Sequence, residues 1–72
     1  MGISFARVKM YFCGSFITEA LFYNMTNECA EKRFREIFPS ASADDVHLEI
    51  EQRTIDTESD YFKACLRCGA VY

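Results

Sequence analysis

Cys65-Leu66-Arg67-Cys68-Gly69 is the sharpest chemical signal in the sequence. A Cys-x-x-Cys-Gly turn forms one knuckle of a zinc ribbon, because this spacing lets two thiolates reach one ion while glycine lets the backbone curl beneath them. A four-thiolate site needs a second pair. The chain offers only Cys13 and Cys29, which lack knuckle spacing, so a complete site would need two chains sharing an ion. A thioredoxin-like pair must instead open a helix whose dipole lowers the first thiol's pKa, and the four residues after Cys68 are too few to build one. Cys29 falls in the first turn of a helix but has no neighbouring His to act as its base, which reads as packing. His47, the single His, shares a strand face with Glu49 and Glu51, where such residues ordinarily serve solubility. The expectation is no catalytic residue, no bound metal and no cofactor.

The elements that would carry these residues are best marked at Thr26–Pro39. Thr26 serves as N-cap, Glu28 places negative charge in the first turn, and Met25 can pack on Ala30 as a hydrophobic staple. Ala30, Phe34, Ile37 and Phe38 form one helical stripe, and Pro39 ends the run. Before the helix, Val8, Met10 and Phe12 alternate with Arg7, Lys9 and Tyr11, the period of a half-buried strand. The Cys13-Gly14-Ser15 loop turns the chain into a second strand, Phe16 to Asn24, whose two faces are both fairly apolar. Its pattern sets Ile17, Leu21 and Tyr23 against Phe16, Thr18, Ala20 and Phe22. After a polar loop, Val46, Leu48 and Ile50 alternate with His47, Glu49 and Glu51 in a third strand. From Phe62 to Tyr72 the even positions are apolar, which predicts a fourth strand. The rival is a short helix with a Thr57/Asp60 capping box and Gly69 as its stop.

This order predicts one α+β domain spanning residues 1–72, in two layers with ββαββ order. A single helix lies across one face of an antiparallel or mixed sheet. If the strands flanking the helix pair directly, they do so in parallel with a right-handed crossover. The helix stripe is expected to pack on Val8, Met10, Phe12, Leu48, Ile50 and Leu66. The other sheet face then lacks a helix, leaving Tyr11, Phe16, Phe22 and Tyr61 to mark a partner or homodimer surface.

Composition narrows the function classes. A chain of 72 residues buries only about 60% of its unfolded surface, and seven Phe and four Tyr supply its core with large apolar area. The net charge of −3 argues against nucleic acid or an anionic membrane as partner. Arg7 and Lys9 precede the apolar run Met10 to Ile17, but Glu19 follows and no small-x-small cleavage site is evident, so a cytoplasmic protein with reduced thiols is expected. No apolar run approaches the roughly 20 residues needed to span a bilayer.

Acidic charge is concentrated in the second half, where Glu49, Glu51, Asp56, Glu58 and Asp60 are the expected partner-binding residues, facing a protein with a basic surface. The expected function is a non-catalytic protein-binding module working through a sheet face, with a zinc or thiol domain built on Cys65 and Cys68 as the alternative. In size and charge, though in no motif, the chain is similar to the small acidic proteins with which phages inhibit host defence, some of which occupy nucleic-acid-binding clefts. That likeness implies no residue assignments.

Overall fold

A computed structural model describes residues 2–72 and contains three strands and two α-helices: β1 (Gly2–Phe12), β2 (Ser15–Tyr23), α1 (Asn27–Ile37), β3 (Val46–Asp56) and α2 (Asp60–Arg67). A short 3-10 turn, Pro39–Ser42, links α1 to β3. The sheet order is β2-β1-β3 and both pairings are antiparallel. The strands flanking α1 therefore do not pair with each other. β3 returns to the far side of β1, which makes β1 central.

The hairpin closes through a two-residue turn rather than three, because Cys13 and Gly14 both have positive φ (50° and 83°) and Phe12 already pairs with Ser15. Two consecutive left-handed residues are the signature of a type I′ turn, whose twist matches that of the flanking strands. The β1–β2 register then slips. Met10 faces Thr18 but Tyr11 faces Phe16, so Ile17 is an extra residue, a β-bulge. The slip reverses the side-chain alternation in β2 and puts Phe16 on the same face as Tyr11, whose ring it meets edge-on at 5.8 Å.

α1 forms as its sequence predicts. The Thr26 side-chain oxygen accepts a hydrogen bond from the Cys29 backbone N–H at 3.2 Å, and the helix stops before Pro39. Its buried face is Ala30 and Phe34, which pack with Ala6, Val8, Met10, Ala20 and Phe22, flanked by Met25, Ile37, Phe38, Leu48 and Ile50. Two expected members are missing. Phe12 remains half-exposed at the hairpin end, and Leu66 is exposed on another helix. Phe22, expected on the open face, is instead fully buried under α1. The bulge explains this, since it separates the facing of Phe16 from that of Phe22.

The predicted fourth strand is a helix. The apolar positions of residues 62–72 satisfy a two-residue period, but Ser59 caps the segment by accepting from the Phe62 N–H, Asp60 sits in the first turn, and Gly69 stops it at φ 72°. Eight residues with these local signals favour helix over strand. α2 lies on the face opposite α1, where Phe62 and Cys65 pack with Phe5, Leu21 and Ile55 to form a second core. One helix on one face is thus corrected to one helix on each. Beyond Gly69 the chain does join the sheet briefly. Leu21 donates to the Ala70 carbonyl at 2.8 Å and accepts from Tyr72 N–H at 2.8 Å, a parallel bridge that covers this end of the β2 edge.

Candidate functional site

An eight-residue helix is too short to cover a face built from strands of nine and eleven residues. α2 shields the end at Phe5, Leu21 and Ile55 and leaves the other half of that face open. There the alternation of β1 presents Arg7, Lys9 and Tyr11, and that of β3 presents His47, Glu49, Glu51 and Arg53. The bulged start of β2 adds Phe16 and Ile17, which are 53% and 52% exposed. Between this part of β2 and α2 runs a groove of about 370 Å³, whose walls include Phe16, Ile17, Tyr61, Ala64 and Cys68.

The groove is anchored at one end by Glu19. Its Oε2 accepts from Arg7 Nε at 3.1 Å and Nη2 at 2.9 Å, and its Oε1 accepts from the Tyr61 hydroxyl at 3.0 Å. The Arg7 guanidinium also lies 5.4 Å from the centre of the Tyr61 ring. Both carboxylate oxygens are thus occupied, an arrangement that pins α2 to the sheet. Burial opposes the charge on Arg7, but the Glu19 hydrogen bond and the surrounding acidic groups outweigh it and raise its pKa. Burial, helped by the hydrogen bond and charge of Glu19, pushes the Tyr61 hydroxyl well above its ordinary 10.0.

A raised folded-state pKa makes the folded chain the tighter proton binder. The contribution of Tyr61 to stability is therefore fully present below pH 10, its unfolded value, and is lost as pH climbs toward the folded one. Urea unfolding in alkaline buffers should show wild-type stability falling more steeply above pH 10 than that of Tyr61→Phe. Parallel curves would remove Tyr61 as the titrating group.

The acidic residues expected to form one band fall into two groups. Glu49 and Glu51 lie on the open sheet face. The Glu49 carboxylate is 4.0 Å from His47 Nε2, and Glu51 sits between Arg7 at 3.6 Å and Arg53 at 3.7 Å. Asp56, Glu58 and Asp60 belong to the β3–α2 turn, about 23 Å along the strand from Glu49 at 3.3 Å per residue. Asp56 Oδ1 accepts from the Glu58 backbone N–H at 2.9 Å, which holds its pKa below the ordinary carboxylate value, and Asp60 supplies negative charge to the α2 N-terminus. These acids organise a turn.

The thiols are dispersed. Cys65 is buried in the second core, while Cys13, Cys29 and Cys68 are exposed. Among the described residues, no three His, Cys, Asp or Glu side chains gather in a way that could hold a metal ion. Burial pushes the Cys65 thiol pKa up, opposite to what a nucleophilic or redox thiol requires.

Sequence reasoning singled out Tyr11, Phe16 and Tyr61 as surface aromatics but missed the Arg7–Glu19–Tyr61 cluster. Its members are separated by 12 and 42 residues, and only the strand pairing Lys9↔Glu19 and the docking of α2 bring them together. No helix among the described residues is long and apolar enough to cross a membrane. The chain matches no family model, and no curated protein or solved structure is significantly similar to it.

Proposed function

We propose that this chain is a non-catalytic protein-binding module that engages its partner through the half of the sheet face beyond α2. The observation that carries the reading is the pair Phe16 and Ile17, two adjacent large apolar side chains more than half exposed on the rim of a groove. Clustered exposed apolar area bordered by polar residues is characteristic of protein–protein contact sites. Glu49 and Glu51, across the same face, supply an acidic margin that favours a partner with a basic surface and makes association salt-sensitive. The net charge of −3 fits an acidic inhibitor that occupies its target.

Affinity capture from a cell lysate tests this with two variant sets made at exposed positions. Phe16→Ser with Ile17→Ser removes the apolar rim, and Glu49→Lys reverses charge on the acidic margin while sparing the Arg7–Glu51 contact. The rim variant is expected to lose the partner at any salt concentration. The charge variant is expected to bind weakly already at low salt, where the wild type binds best and from which the wild type loses the partner progressively as salt rises. A partner retained by both folded variants would overturn the assignment of this face.

A further inference from the structure

The two edges of the sheet are treated differently. The β2 edge carries a bulge at Ile17 and is covered at Leu21 and Tyr23 by residues 70–72. The β3 edge has neither device. All eleven residues of β3 pair with β1 without a register shift, and among the described residues no strand lies beyond it. Backbone direction follows from the tail. Leu21 bonds outward to residues 70 and 72, so its pair Arg7 points toward β3 and bonds Glu51. Odd residues of β3 are thus used by β1, and Leu48, Ile50, Gln52 and Thr54 point their N–H and C=O groups away from the sheet. Among the described residues, no backbone group outside the sheet bonds these four.

We propose that the β3 edge pairs antiparallel with the β3 edge of a second copy, about a two-fold axis at Gln52, to give a continuous six-stranded sheet. The charges select this register. With Gln52 opposite its copy, Ile50 faces Thr54, and Glu51 of each chain faces Arg53 of the other in the close, non-hydrogen-bonded pairing where cross-strand side chains interact most strongly. This ion pair therefore forms twice, once on each side of the axis. Arg53 is available for this: among the described residues it is held only by Glu51, at 3.7 Å, with both side chains about half exposed. Moving the axis to Glu51 would place two carboxylates directly opposite each other, which disfavours that register. The surface lies on the strand farthest from Phe16 and Ile17 but shares Glu51 with the acidic margin of the proposed partner site, so self-association is measured on the chain alone.

Sedimentation velocity on the purified chain, from micromolar to millimolar protein, tests it without any partner. The wild type is expected to show a concentration-dependent dimer. Arg53→Glu gives four carboxylates at the axis and Glu51→Lys gives four cations, so each alone should weaken self-association at least roughly tenfold. Mixed in equal amounts, the two variants restore an opposite-charge pair at both symmetry-related positions and should form a heterodimer. A wild type that stays monomeric throughout, an Arg53→Glu variant that dimerises as well as wild type, or variants that fail to combine on mixing would each overturn the proposal.

Discussion

Phe34→Ala is expected to lower the unfolding free energy by about 3 to 5 kcal/mol, the range for removing a fully enclosed aromatic ring and leaving its cavity. Phe34 has no exposed surface and its ring meets Phe38 at 4.7 Å and Phe22 at 6.4 Å, so the void would open between α1 and the sheet where neither can readily close it. Against a total of roughly 5 to 15 kcal/mol for a typical domain, this loss leaves little margin. Urea unfolding followed by circular dichroism measures it. A midpoint near that of the wild type would show that the ring is not central to the α1 core.

Leu21→Ala probes the opposite face, with an expected cost of about 2 to 5 kcal/mol. Leu21 is fully buried among Phe5, Ile55, Phe62 and Cys65, and its backbone also holds residues 70 and 72. Truncating the side chain leaves those hydrogen bonds possible but removes the surface on which α2 rests. Amide exchange should therefore speed up first in α2 and the tail, ahead of α1. If α1 and α2 lost protection together, the two faces would be acting as one core, and the separation into two clusters would carry no energetic meaning.

The legible parts of the fold were those specified by neighbours in sequence. α1 announced itself because Thr26, the Ala30–Phe34 stripe and Pro39 all act within one helix. β1 and β3 announced themselves through alternation alone. What escaped depends on pairing. The bulge at Ile17 arises from how β2 sits on β1, and without it Phe16 and Phe22 read as residues of one face. Residues 62–72 fit both periods, and the choice of helix rested on Ser59, one cap residue outside the apolar pattern. The candidate site was harder still. Nothing near Glu19 in sequence points to its partners Arg7 and Tyr61, which are 12 and 42 residues away, whereas the run of acids from Glu49 to Asp60 looked like one patch because sequence proximity hides the length of an extended strand.

The covering of the β2 edge by residues 70–72 also has a consequence in time. During synthesis, β1, β2 and α1 emerge first, and a hairpin with one helix can begin to collapse on the ribosome. The outward N–H groups of Leu21 and Tyr23 then wait for a segment made some fifty residues later, and α2 must form before the chain can reach them. Until then the nascent chain carries an open strand edge next to the bare Leu21 and Phe5 side chains, a surface on which neighbouring chains on a polysome can pair. Slower translation after β2 would lengthen that exposure, so the yield of native protein becomes sensitive to elongation rate and to chaperones that shield the edge.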